Sequence, residues 1–273
     1  MRGFLIFLSI FLSQITWAQV PQLDGITPAQ LETIVKEFSA NFVHTSATPP
    51  TSLGKVFGVE AAIIAGAVES PGISQISKQY DPNSDIAALP HAWLLAGISV
   101  PFGVSIELNF LPSVDVQDIK MSHNSLAVKW SITDQFFAGL PFDWSIRSYY
   151  TKSELSYRQT IVNGSFPGSI TSDVGFENTM VGGDSMIGID FGIVEPYAGV
   201  GFVNTKGELR ASAVTATPYS IFDDGVSQSL SSKQNSARLI AGMTLHLTAL
   251  KVGVEYSRLF GVNRVSAKLG LAF

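Results

Sequence analysis

The last ten residues, RVSAKLGLAF (Arg264–Phe273), place Val265, Ala267, Leu269, Leu271 and Phe273 on one face and Arg264, Ser266, Lys268 and Gly270 on the other. In a pleated strand, successive side chains point to opposite faces, so this alternation predicts one apolar and one polar surface. Working backward, the same period of two recurs. Val104, Ile106, Leu108 and Phe110 oppose Ser105, Glu107 and Asn109, and Leu126, Val128, Trp130 and Ile132 oppose Ala127, Lys129 and Ser131. Ala237, Leu239, Ala241, Met243, Leu245 and Leu247 oppose Arg238, Gly242, Thr244 and His246.

A soluble sandwich would alternate in the same way, so composition and connection lengths decide between solvents. The 273 residues are 46% hydrophobic but only 14% charged, against about 25% in an ordinary soluble domain. No stretch after the first few turns of chain approaches the roughly 18 apolar residues of a spanning helix. A closed barrel is then the membrane-compatible arrangement, because lipid offers no partner to an open sheet edge. Strands are expected at about 55–68, 92–100, 103–111, 121–133, 143–157, 178–192, 195–206, 236–247, 250–260 and 263–273. Their connections alternate: tight at Pro101-Phe102, Ile193-Val194 and Thr248-Ala249, long and rich in Ser, Gly, Asn and Asp at Glu69–His91, Gln159–Glu177 and Lys206–Asn235. Short turns at one end and long loops at the other, with Gly261-Val262 as the exception on the long-loop side, and an even strand count of about ten fit an antiparallel up-and-down outer-membrane barrel.

RVSAKLGLAF also resembles the C-terminal targeting strand of bacterial outer-membrane barrels, which closes on an aromatic residue, here Phe273. EPYAGVGF (Glu195–Phe202) resembles a strand common in small barrels of the OmpA-like and OmpW-like kind. The resemblance covers about residues 55 to 273 and implies an outer-membrane location, with lipid and the assembly machinery as partners and Phe273 as the assembly signal. It departs from those relatives in having more than eight strands and an extra N-terminal helix.

The N-terminus reads as a secretory signal. Arg2 precedes an apolar run from Phe4 to Leu12, and Thr16-Trp17-Ala18 suggests cleavage after Ala18. The domains expected are therefore a signal peptide at 1–18, a helix with its linker at 19–54, and a barrel at 55–273. Within 19–54, Thr27-Pro28-Ala29-Gln30 has the form of a capped helix start. Leu31, Ile34, Val35, Phe38 and Phe42 then form an apolar stripe ahead of Thr48-Pro49-Pro50. Strand one carries Val56, Ala62, Ile64 and Val68 on the face of Glu60, an unusually apolar inward face. The stripe is expected to cover it as a plug at the periplasmic mouth.

Glu107, Lys129, Arg147, Tyr149, Asp184, Arg238, Lys251, Glu255 and Lys268 are expected to line the lumen, either as a structural network or as the wall of a narrow small-solute path. Trp93, Trp130, Trp144, Tyr150, Phe136, Phe137 and Phe142 are expected in aromatic girdles. His44, His91, His123 and His246 show no metal-ligand spacing, and neither metal nor cofactor is expected. His123 and Ser125 share a strand face, similar to the H-x-S pair of outer-membrane lipid A deacylases, yet no carboxylate is evident to orient the histidine. The net charge of −5, or 16 basic against 22 acidic residues without Arg2, excludes a nucleic-acid partner. The absence of cysteine excludes a disulfide scaffold and a lipidated N-terminal Cys. The expected function is a structural or narrow-channel barrel without a catalytic site. Gating by the plug and lipid hydrolysis are the alternatives.

Overall fold

The computed structural model describes residues 26–273, except 55, 81, 85, 117, 138, 163–168 and 217–224. The expected signal peptide lies outside the described residues. Helix α1 (Pro28–Phe42) comes first, followed by strand β1 (Gly58–Glu69), helix α2 (Pro71–Tyr80), β2 (Ala88–Val100) and β3 (Val104–Val116). Then come β4 (Ile119–Ser131), the short helix α3 (Ile132–Phe136), β5 (Asp143–Val162), β6 (Ser169–Gly188) and β7 (Val194–Ala216). The chain ends with β8 (Gly225–Leu247), β9 (Leu250–Leu259) and β10 (Val262–Ala272).

Every strand pairs antiparallel with its sequence neighbour, and β1 pairs with β10, closing a ten-stranded barrel. Phe273 helps seal this seam: its N–H donates to the Val59 carbonyl at 2.9 Å, and its carbonyl accepts from the Val59 N–H at 2.8 Å. The outward face is apolar. Ile63, Leu94, Leu108, Leu126, Val128, Val181, Leu239, Val254 and Leu269 are all exposed on it. The inward face holds the buried polar and charged groups. This inversion of the usual soluble arrangement suits a barrel surrounded by lipid. No described helix is long and apolar enough to cross a membrane.

The largest departure from expectation concerns loops. Gln159–Glu177 and Lys206–Asn235 belong mostly to strands, and β5, β6, β7 and β8 run 20 to 23 residues while β9 and β10 have 10 and 11. A spanning strand needs only about 9–11 residues. The excess stands beyond the apolar belt as two long hairpins, at the end opposite Phe273. There the outward face no longer has to be apolar, so the alternation that marks a lipid-facing strand is missing, although Phe176 and Leu209 still point inward. Smaller corrections follow similar lines. Strand β1 starts at Gly58, leaving Val56 exposed outside it, β2 starts at Ala88, and the connection before β2 contains α2. A register shift between Leu111 and Val114 interrupts the β3–β4 ladder, where Pro112 cannot donate a ladder hydrogen bond.

Candidate functional site: a lumen filled by the N-terminal segment

Helix α1 starts as its sequence dictates. Gln30 N–H donates to Thr27 Oγ1 at 3.3 Å, the Thr27 N–H donates to Gln30 Oε1 at 2.8 Å, and Pro28 opens the helix. The helix lies inside the barrel, towards the long-hairpin end. Leu31 and Val35 pack with Phe176 and Leu209 of the extended β6 and β7. Phe38 meets Phe176 with ring centroids 4.9 Å apart. Gly207 makes room for this contact, since a Cβ there would lie 2.7 Å from Val35 Cγ2. Helix α2 closes over the same end: Gly72 and Ile73 N–H groups donate to the two Glu37 carboxylate oxygens at 2.7 and 2.8 Å, and Gln30 Nε2 donates to Gln79 at 2.9 Å. Burial raises the Glu37 carboxyl above its usual range, while these two N–H donors oppose the shift.

From Val43 the chain descends the lumen in a non-helical path, and residues 39–50 are all buried. The barrel wall holds it largely by its carbonyls. Arg238 Nη1 donates to His44 O at 3.0 Å, Asn109 Nδ2 to Thr45 O at 2.8 Å, and Thr244 Oγ1 to Ala47 O at 3.3 Å. Lys129 Nζ donates to Pro49 O at 2.8 Å and Thr51 O at 2.9 Å, and Ser131 Oγ donates to Pro50 O at 2.5 Å. Gly253 permits the close approach of Ala47, whose carbonyl would sit 2.5 Å from an added Cβ. Pro49 and Pro50 have no N–H to satisfy, so a wall rich in donors matches this segment.

Charged side chains tie the wall together around it. Arg147 donates to Asp184 Oδ2 through Nε at 3.1 Å and Nη2 at 2.6 Å, and to Ser46 Oγ at 2.8 Å. Arg238 bridges Asp184 at 3.1 Å and Glu255 at 2.8 Å. Lys268 Nζ donates to Glu60 at 2.7 Å and Thr48 Oγ1 at 2.9 Å. Arg264 donates to Thr45 Oγ1 and lies over the Trp93 ring, 5.4 Å from its centroid. Removing such ions from water costs several kcal/mol each, so each needs these partners merely to be tolerated. What the network provides is a fixed course for the segment.

Of the expected lumen residues, Glu107, Lys129, Arg147, Tyr149, Asp184, Arg238, Glu255 and Lys268 are buried inside, while Lys251 is half-buried near the short-turn end. Glu60, His44, His91 and Arg264 join them. Arg264 and Glu60 were recognisable from their strand faces, but His44 was hidden in an apparent linker. The plug is corrected in place and partner. The helix sits in the long-hairpin half, so Leu31, Val35 and Phe38 meet β6 and β7, Ile34 is half-buried, and of the stripe Phe42, with Phe38 beside it, joins the cluster that holds Val68 of β1. Ala62 and Ile64 are covered instead by Trp93 and Leu95. Trp93 is thus inside the barrel, stacked on His91 and His123, and not in a girdle. Trp130, Phe136, Phe137 and Tyr150 remain on the outside.

His123 and Ser125 do share a face, but each has another partner. His123 Nδ1 bonds Ser153 Oγ at 2.9 Å, whereas Ser125 Oγ bonds His44 Nδ1 at 3.0 Å. His44 Nε2 then reaches Glu107 at 3.1 Å, a serine–histidine–carboxylate chain whose members are at most 3% exposed. A recess of about 500 Å³ lies elsewhere, on the long hairpins beside Lys120, Glu154, Glu177 and Arg210. Among the described residues, no group of three His, Asp or Glu side chains is placed to hold a metal.

A family model described as a family of unknown function, DUF6588, matches residues 26–273. The chain belongs to this family. The match includes both the threaded segment and the barrel, so the two form one family unit. No curated protein matches the DUF6588 chain. Among solved structures, it is similar to the attachment invasion locus protein Ail of Yersinia pestis, at 12% identity, over 81% of this chain and 100% of that one, with a TM-score of 0.31. It is also similar to the translocator domain of the autotransporter NalP from Neisseria meningitidis, at 12% identity, 86% and 91% coverage and a TM-score of 0.40. A Pseudomonas aeruginosa FadL homologue is similar at 9% identity, 94% and 99% coverage and a TM-score of 0.37.

Proposed function

We propose that this DUF6588 protein is an integral outer-membrane barrel whose lumen is closed by its own N-terminal segment. In this reading it is a structural, surface-bearing barrel and not an open pore. The carrying observation is the complete burial of residues 39–50 within the ring of strands, with wall cations bonded to their carbonyls. The apolar outer face supports lipid as the surrounding medium, and the short turns support a periplasmic orientation for the Phe273 end. A gated small-solute path is the second reading. It is favoured by the polar character of the contacts around residues 44–51, which water can replace more readily than an apolar core. Hydrolysis of lipid gains little support, because a lipid carbonyl has no route to the buried Ser125.

Conductance in planar bilayers tests the closed barrel. The full-length protein is expected to pass no steady current, and a variant lacking residues 28–50 is expected to conduct. Steady current through the full-length protein would reject closure. Current that appears only with an added solute would favour gating.

A further inference from the structure

We infer that the chain is threaded through its own barrel, with the N-terminal end of α1 at the cell surface. This rests on the outer-membrane reading above. Residues 51–54 lie at the short-turn end: Thr51 Oγ1 donates to Glu195 at 2.9 Å, and Leu53 lies beside Gly58 and Gly97. Ser39 bonds Thr205 at 2.9 Å, higher on the wall. Glu37 and Gln30 reach α2, the helix that follows the far end of β1. The order of contacts therefore climbs the whole barrel as residue number falls, and Thr27 ends the path exposed.

The lengths agree. A 15-residue helix rises about 22 Å, and twelve further residues extend up to about 40 Å, together enough to cross the roughly 30 Å hydrocarbon layer. Nothing about an apolar helix stripe requires this route; a plug inserted from the periplasm would leave Thr27 on the same side as Phe273. Here the two lie at opposite ends. The barrel consequently presents Thr27 and the start of α1 outward, while Phe273 faces the periplasm.

The chain has no cysteine, which permits a direct test in cells with a membrane-impermeant maleimide. Thr27→Cys is compared with Arg158→Cys, on the long-hairpin end, and Asp190→Cys, on a short turn; all three positions are exposed. Modification of Thr27→Cys and Arg158→Cys in intact cells, with Asp190→Cys modified only after permeabilisation, is the expected result. If Arg158→Cys is modified while Thr27→Cys is protected until permeabilisation, the threading is wrong and the outer-membrane reading survives. If only Asp190→Cys is modified in intact cells, the barrel is inverted and the inference fails. If none is modified until permeabilisation, the outer-membrane reading itself fails.

Discussion

Lys129→Met isolates the grip of the wall on the threaded segment. Its ammonium donates to the carbonyls of Pro49 and Thr51 at 2.8 and 2.9 Å and lies 3.9 Å from Glu107. Met retains most of the stem volume, so the cavity contribution is small. Hydrogen bonds to charged groups contribute about 1.5–3 kcal/mol each, but the substitution also removes the desolvation cost of a fully buried cation. The net loss should be about 3 kcal/mol, towards the lower limit of the two bonds together. Glu107 keeps His44 at 3.1 Å and Arg147 at 3.6 Å, so no acid is left unpartnered to inflate the effect. Urea unfolding from lipid vesicles, followed by tryptophan fluorescence, measures this loss. The same substitution in a barrel lacking residues 28–50 should cost less than about 1 kcal/mol, as for a solvated ion pair. A coupling of about 2 kcal/mol or more between the two changes is therefore expected. Equal costs with and without the segment would refute the grip, since Lys129 would then be stabilising the wall alone.

Leu269→Arg puts a charge on the exposed apolar face of β10 beside Ile63 and Val252 and should cost about 2–4 kcal/mol near the midplane in the same unfolding assay. Lys268→Arg, one residue away but clamped between Glu60 and Thr48, should cost about 1–3 kcal/mol by overpacking. Removing Phe273 deletes both backbone bonds with Val59 at the seam, so folded protein in outer-membrane fractions should fall sharply; an unchanged yield would show that the residue is dispensable. Glu37→Ala leaves the Gly72 and Ile73 N–H groups without their carboxylate acceptor, and hydrogen exchange across Pro71–Tyr80 should quicken by one to two orders of magnitude for a local loss of about 1–3 kcal/mol.

The strands that face lipid were legible because their environment imposes a rule on every second residue. Leu269 and Val128 must be apolar, and Lys268 and Lys129 must find water or a polar partner. Where the wall leaves the lipid, that rule lapses. Asp173, Gly175 and Glu177 belong to a strand but read as loop, because their outward face no longer meets lipid and need not be apolar. Trp93 was misassigned for a related reason: an aromatic near a strand end suits a girdle, and only the β2 phase, set by His91 and Leu95 pointing inward with it, puts it in the lumen. The stripe of α1 correctly implied burial, but an apolar stripe carries no information about which apolar surface receives it. Phe176 and Leu209 lay in segments that looked like loops, so the true partners were absent from consideration.

The lumen itself contained a clue to its occupant. Its buried cations are Lys129, Arg147, Arg238, Arg264 and Lys268, set against Glu60, Glu107, Asp184, Glu195 and Glu255. Charge balances five against five, and donors are about matched by acceptor sites in number, so the mismatch is one of geometry. An Arg offers five N–H groups and a Lys three, and an ionised carboxylate accepts at about four sites. Carboxylate pairs leave some donors geometrically out of reach, and Arg264 has no carboxylate within ion-pair distance among the described residues. A wall built this way needs a supply of acceptors. HTSATPPTS (His44–Ser52) supplies a carbonyl at every residue, but Pro49 and Pro50 contribute no N–H in return. In water, such a stretch looks like an ordinary linker. Inside this barrel its acceptors meet donors that the carboxylates do not take up: the carbonyls of residues 44, 45, 47, 49, 50 and 51 are each bonded by a wall side chain, three of them by Arg238 or Lys129 and three by Asn109, Thr244 and Ser131. The segment and the wall are thus halves of one polar core, divided between elements that look unrelated in the sequence.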